Sequence, residues 1–393
     1  MSAHGTLQAS RSPEQISSFA DDLFRHLPRA DQRRWALTYL QGLLSAPGRK
    51  SVRRLALPES AAQSLQQFIN ASPWEWDPVL AELARWTEQR AKVKAWTVGL
   101  SVQPKRGQHS VGVHRRFLPE SGRTVNCQAG VGLFLATERS AVPVDWRLHL
   151  PEQWSGDLHL RRRARIPDSV GHRPLGSHIL EMADALAART SSAVPPLVAD
   201  ARDYPQLSTL IHELGRRQQE FVFEVPDSLP LLPCAQDGRQ HRTEPLAVSA
   251  RHFRGLDRSL AVHTTVNASG ALPRLVDMRS GLVRLAGPSP SGRSARPALR
   301  LFTGATEAGR PARLWISNAL RRRPDELLGL TALPALADET LRSLRDIGLL
   351  NFEGRSFPGW HHHMTLVSAA CAYSRLAHEE QRITEAMAGT RSA

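Results

Sequence analysis

Three consecutive histidines, His361, His362 and His363, follow a tryptophan in the stretch NFEGRSFPGWHHHMTL, and imidazole is the commonest metal ligand among side chains. Their spacing works against that use. Neighbouring residues on a helix point about 100° apart, and on a strand to opposite faces, so the three cannot converge on one ion from a regular element. Zinc sites carried on one element use i and i+4 spacing or draw ligands from elsewhere. Two of the three could serve with a distant partner. The alternative is one buried, hydrogen-bonded imidazole, with the others solvated or touching an anion. The cysteines add no metal motif: Cys127, Cys234 and Cys371 are scattered without a CxxC pair, which fits a reducing compartment and argues against a zinc ribbon.

Charge is the next signal. Lysine and arginine number 51 against 37 acids in 393 residues, a net charge of +14, and the only lysines are Lys50, Lys92, Lys94 and Lys105. Arginine forks match phosphate oxygens in two-point contacts, and a positive field speeds encounter with a polyanion, so nucleic acid leads the partner classes. A GC-rich genome would also favour arginine codons. Lys105, Arg106, Arg115 and Arg116 in the turn-rich PKRGQHSVGVHRRF, and the run Arg161, Arg162 and Arg163, are candidates for phosphate contact; solvated charge is the competing reading. No apolar run reaches the roughly 18 residues that span a bilayer, and MSAHGTLQASRSPEQ lacks the apolar centre of a signal peptide, so the expectation is a cytoplasmic protein without a membrane partner.

The elements that would position these residues follow from periodicity. From Pro13 to about Arg90 the pattern is helical: ADQRRWALTYLQGLLS sets Trp35, Leu37, Leu40, Leu43 and Leu44 near one face, a second helix starts at a Ser60 cap, and Pro73 separates it from WEWDPVLAELARWTEQRAK. Near Lys94 the period changes to short β-rich runs. The order strand, strand, strand, helix (GSHILEMADALAAR), then an apolar strand ending in an acid (PPLVADARDY), predicts an α/β core with a mixed sheet. Residues from about Gln218 read as short strands broken by Gly, Pro and Ser, with a basic loop AGPSPSGRSARPALR. ARLWISNAL then returns to the main sheet, and the chain is helical from about Asp325.

Several blocks taken together, DQRRWALTYLQGLL, RKSVRRLA, LQQFINASPWEWDPV, PKRGQHSVGVHRRF, NCQAGVGLFLAT, VDWRLHLPEQW, VADARDY and IGLLNFEGRSFPGWHHHMTLV, resemble the DDE-type insertion-sequence transposases, specifically the group named after insertion sequence seven-zero-one. The resemblance implies a ribonuclease-H-like mixed sheet with a β-rich insertion and a helical N-terminal domain. The boundaries would be 1–92 for the helical domain, which would contact DNA, 93–217 for the first part of the core, 218–312 for the insertion and 313–393 for the C-terminal helical part. It also implies two aspartates and a glutamate around two divalent ions, usually magnesium. Two cations about 4 Å apart stabilise the attacking and leaving oxygens of an in-line phosphoryl displacement, and magnesium requires hard oxygen ligands.

Carried over residue by residue, that pattern is incomplete. The second aspartate is Asp200, followed by Arg202 and Asp203 where glycines are usual. The first belongs to an acidic pair upstream of the PK-G-SVGV block and falls on Gly99 and Leu100. The glutamate lies eleven residues before Gly348 and falls on Ala337, with Leu333, Pro334, Thr340 and Leu344 at its signature neighbours. Asp338 and Glu339 are near in sequence but turned by about 100° and 200° on a helix. The expectation is a transposase-family protein that binds double-stranded DNA and lacks standard two-metal cleavage and strand transfer, with no cofactor, magnesium mattering only where activity is retained. Two alternatives stand beside it. One is an active transposase with non-standard ligands such as Asp200 with Asp203 or Glu339. The other is an exapted enzyme holding a small molecule in a cleft lined by Trp96, Ser101, Asp200 and the histidines. Glu353 and Arg355 are candidates for that cleft or for an ion pair with each other, and a homodimer is compatible with all three readings.

Overall fold

A computed structural model describes residues 13–56, 59–118, 121–190, 193–234, 246–255, 261–266, 274–287, 297–303 and 313–390. The N-terminal part is helical as the periodicity predicts: α1 (Pro13–Phe24), α2 (Ala30–Ser45), α3 (Val52–Leu55), α4 (Ala62–Asn70) and α5 (Asp77–Arg90), the last started by Pro78 in its first turn, where a missing N–H costs nothing. Two local details differ from expectation. The buried face of α2 is Ala36, Tyr39, Leu40 and Leu43, the i, i+3, i+4, i+7 stripe, while Trp35, Leu37 and Leu44 lie partly buried at its borders. Ser60 does not cap α4: it sits in a short 3-10 turn, and no side chain caps that helix.

The core sheet starts with β1 (Ala95–Pro104), β2 (His114–Leu118), β3 (Arg123–Ala136) and β4 (Ala141–Leu148), with β3 antiparallel to each of the other three. Helices α6 (Glu152–Gly156), α7 (Leu158–Ala164) and α8 (Leu175–Ala187) lead to β5 (Leu197–Asp200), and α9 (Leu207–Arg216) leads to β6 (Phe221–Glu224). Strand β5 pairs in parallel with β1 and with β6. An antiparallel β1–β3–β4 meander joined through β1 to parallel β5 and β6 is the ribonuclease-H-like arrangement, so the expected fold class holds.

The sheet continues past the core. Strands β7 (Pro230–Pro233), β8 (Val248–Ser249), β9 (Ala261–Val266), β10 (Arg274–Leu285) and β11 (Leu299–Thr303) form an antiparallel extension, and β12 (Leu314–Ser317) returns between β11 and β6. Strand β6 belongs to the parallel core ladder, and the antiparallel extension follows it in the chain. The basic Gly/Pro/Ser loop lies largely outside the described residues, which omit 288–296.

Three helices close the chain: α10 (Pro324–Leu330), α11 (Leu333–Ile347) and α12 (Phe357–Thr390). Helix α12 packs on β4 and on α2, α4 and α5, so one helix is shared by the sheet and the N-terminal helices. The glycines of QAGVG make this possible. A Cβ at Gly130 would stand 2.7 Å from the Trp360 indole, so a bare backbone lets that ring approach the strand this closely. Among the described residues, no helix is long and apolar enough to cross a membrane.

Candidate functional site

The parallel strands bring the sequence candidates to one edge. Thr97 pairs with Val198, so continuing the β1–β5 register by two residues sets Gly99 beside Asp200, and Asp200 pairs in turn with Glu224 on β6. Gly99, midway along β1, thus lies level with Asp200 and Glu224, which end β5 and β6 at the edge where open α/β sheets place their ligand sites. The sequence reading found the first two positions and missed Glu224.

Arginines occupy this edge. Arg202 donates from Nε (2.9 Å) and Nη2 (2.5 Å) to the two oxygens of Asp200, and its backbone N–H donates to Oδ1 (3.2 Å). The same Nε lies 3.1 Å from Glu224 Oε1, and Arg313 Nη1 reaches Glu224 Oε2 at 3.3 Å. Burial works to raise the Asp200 pKa, but the hydrogen bonds and charge of Arg202, with the charge of Arg313, outweigh it and leave the carboxyl below its ordinary value. Glu224, only 3% exposed, goes the other way: burial first, then the neighbouring Asp200 charge, raise it despite the two arginines. Arg202 is the residue that stands where the resemblance leads one to expect glycine.

The first expected aspartate falls on Gly99 and Leu100, of which Leu100 is exposed and Gly99 is closely surrounded. A Cβ on Gly99 would lie 2.8 Å from Leu341 Cδ1 and 2.9 Å from Phe134 Cε2, so apolar groups fill the space a carboxylate would need. Leu341 comes from α11, whose Ala337, Thr340 and Leu344 are fully buried, against β1, β4 and β5. Thr340 donates to the Ala141 carbonyl at 2.9 Å, which fixes the helix on β4. The position expected to carry the glutamate is therefore a close-packed alanine. Of the two acids that follow it, Asp338 acts electrostatically on Tyr204, as Asp200 does, and with burial as the larger cause they raise that phenol's pKa. Glu339 is exposed.

A family model described as DDE superfamily endonuclease matches residues 22–269, well over half of the chain. The chain belongs to the DDE superfamily endonucleases. Among curated proteins, no sequence matches it. The matched span holds Gly99, Asp200 and Glu224, whereas α11 and the histidine block lie beyond it. DDE endonucleases act on DNA and normally work with divalent metal ions. The residues here do not fit such an ion: among the described residues no group of three or more His, Cys, Asp or Glu side chains is placed to hold one, and both oxygens of Asp200 already accept from a guanidinium.

For this DDE superfamily endonuclease the remaining candidates divide into buried and exposed sets. The three histidines are buried on α12 against the N-terminal helices, away from Asp200. His361 stacks on Trp76 at 4.5 Å, and its Nε2 has no partner among the described residues. His362 stacks on Trp74 at 3.9 Å with Nδ1 2.8 Å from the Ile69 carbonyl and Nε2 2.9 Å from the Trp74 carbonyl. Burial nevertheless holds its pKa down to about 4. His363 accepts from the Tyr39 hydroxyl at Nδ1 (2.9 Å) and donates from Nε2 to the Gly348 carbonyl (3.1 Å), the tautomer those partners require. All three pack in the interior, on the helix shared with the N-terminal helices.

Other candidates are enclosed or already paired. Trp96 and Ser101 are enclosed, at 0% and 3% exposure, and face no open cleft. Arg161, 8% exposed, donates to the carbonyls of Ser155, Pro167 and Val170, so it braces the loop after α7 and is unavailable to phosphate. Lys105 donates to the Phe352 carbonyl at 2.8 Å, and burial lowers its pKa to about 8. Glu353 pairs with Arg49 at 3.0 Å, not with Arg355, which is exposed. Asp203 is exposed beside the edge and adds to the field on Arg202. Arg106, Arg115, Arg116, Arg162 and Arg163 are exposed.

Proposed function

We propose that this chain is a DNA-binding protein derived from a transposase of the insertion sequence seven-zero-one group, in which the two-metal cleavage and strand-transfer reaction has been lost. The observation that carries the reading is the Arg202 guanidinium seated on both oxygens of Asp200 and reaching Glu224. Two-metal chemistry needs carboxylates free to share cations, and here fixed positive charge takes their place. The apolar packing of Leu341 and Phe134 over Gly99 supports the same reading, because a side chain added there would have to push both aside. The net charge of +14 and the exposed arginines supply what binding alone requires.

The test measures binding and cleavage separately. Duplex DNA is expected to bind with an affinity that falls linearly on a log–log plot as salt rises, by about 0.9 per phosphate neutralised. Asp200→Ala is expected to bind as well as the parent, and neither protein is expected to nick DNA with magnesium or manganese. Metal-dependent nicking that disappears in Asp200→Ala would overturn the loss of chemistry, and failure to bind duplex at low salt would overturn the DNA reading.

A further inference from the structure

A cavity of about 670 Å3 opens between the β2–β3 hairpin and the α6–α7 pair, well within the size range of small-ligand sites. Its lining is rich in hydrogen-bonding groups, with Arg115 on β2, Asn126 on β3, Gln153 on α6 and Arg163 on α7, and it contains no carboxylate. One wall is fixed from within: Gln153 Nε2 (3.2 Å) and Trp154 Nε1 (3.0 Å) both donate to the Val113 carbonyl, and His114 Nδ1 donates to the Gly112 carbonyl at 2.9 Å. Leu160 gives that wall its apolar surface, with Val113 and Trp154 buried behind it.

The arginines of this cavity differ from those at the Asp200 edge. Arg202 and Arg313 are held by carboxylates, whereas neither Arg115 nor Arg163 forms an ion pair with a described acid. Two unpaired guanidinia from separate elements, facing one cavity with no acid in it, select an anion, and the fork geometry selects phosphate. Position ties the cavity to the edge. His114 and Pro104 both pair with Cys127, so the hairpin stands at the far end of β1, five residues beyond Gly99. At about 3.3 Å per residue this is about 17 Å, or about five base-pair steps of a duplex, so one DNA molecule can span both.

We propose that this cavity is a nucleotide-phosphate site, in which Arg115 and Arg163 grip one phosphate of a DNA strand and Leu160 lies against the adjoining sugar. The proposal rests on the DNA-binding reading and names a contact for it. The test compares wild type with Arg115→Gln, Arg163→Gln, the double variant and a control, Arg216→Gln, whose arginine is already paired with Glu213. Fluorescence anisotropy would follow a labelled duplex across salt, and competition would use deoxythymidine monophosphate. The expected result is at least a tenfold loss of duplex affinity in the double variant, with a salt slope shallower by about 0.9 for the one phosphate released, each single variant accounting for about half of the affinity loss and the control unchanged. Thermal unfolding of the variants checks that the exposed substitutions leave the fold intact. Wild-type binding that the double variant retains with the same slope overturns the site and leaves the DNA reading standing. A wild type that ignores duplex but binds the mononucleotide through these arginines overturns the DNA reading and keeps a phosphate site for a free nucleotide; binding of neither overturns both.

Discussion

Replacing Arg202 by glutamine removes the cation that joins Asp200 to Glu224. The two carboxylates are register neighbours on adjacent parallel strands, and only Arg313 would remain to offset them. Breaking a fully buried pair by deleting one partner costs about 3–5 kcal/mol. Here the Arg202 side chain is 50% exposed and that of Asp200 38%, so solvent screens much of the term, while Glu224 at 3% keeps its desolvation. The expected loss is about 2 kcal/mol at pH 7, read from urea unfolding followed by far-UV circular dichroism. The pH dependence carries the sharper test. In the parent, Asp200 lies below its ordinary pKa, so its contribution is present above pH ~4 and is lost as pH falls through the folded value. In the variant the uncompensated carboxyls rise above their unfolded values, so lowering the pH protonates them and relieves the penalty. The gap between parent and variant is expected to shrink to less than half between pH 7 and pH 4. A gap below about 0.5 kcal/mol at pH 7, or one that stays constant down to pH 4, would show that the guanidinium does not hold this edge together.

Gly99→Ala is expected to destabilise by about 1–3 kcal/mol through overpacking, with much of the loss recovered when Leu341→Ala is added, as thermal unfolding of the two single and the double variants would show. Arg161→Gln is expected to cost about 3 kcal/mol because three carbonyls lose their donor, whereas Arg163→Gln changes stability by less than about 0.5 kcal/mol; urea midpoints for the pair separate the bracing residue from the exposed one. His363 is held neutral, with burial bringing its pKa down to about 4, so its stabilisation is full above the unfolded value near 6.5 and is lost as pH falls toward 4. His363→Gln is therefore expected to be less stable than the parent at pH 7 and to lose on the order of 2 kcal/mol less between pH 7 and pH 5, checked by denaturation at both values.

The parts of this structure that were legible in sequence are those set by local pattern. The helical N-terminal stretch, the order of strands and helix before Asp200, and the return of Leu314–Ser317 to the sheet all follow from periodicity and breakers. Asp200 could be read because an apolar run ends on it. Glu224 could not: the four-residue strand Phe221–Glu224 is too short to show a period, and its partner lies 24 residues away. Arg313 reaches Glu224 only because the chain returns through the β-rich extension, a closure that no local signal encodes. Adjacent spacing was enough to show that the three histidines do not converge on one ion, but their partners Tyr39, Ile69 and Trp74 are about 300 residues away in sequence, 324, 293 and 288 residues respectively. The crowding of Gly99 by Leu341 and Phe134 is a packing fact that appears only in three dimensions.

Helix α12 carries a consequence for how the chain comes apart. Because the histidine rings are riveted to α2, α4 and the turn before α5 while the same helix lies on β4, the N-terminal helices are not an arm on a hinge. A protease cut near Lys92–Lys94 would sever the covalent link without separating the pieces, and the two fragments should co-elute on gel filtration until denaturant melts both together. Residues 1–92 expressed alone would show their sticky side to water and aggregate. Whatever the two halves grip, they grip at one fixed separation.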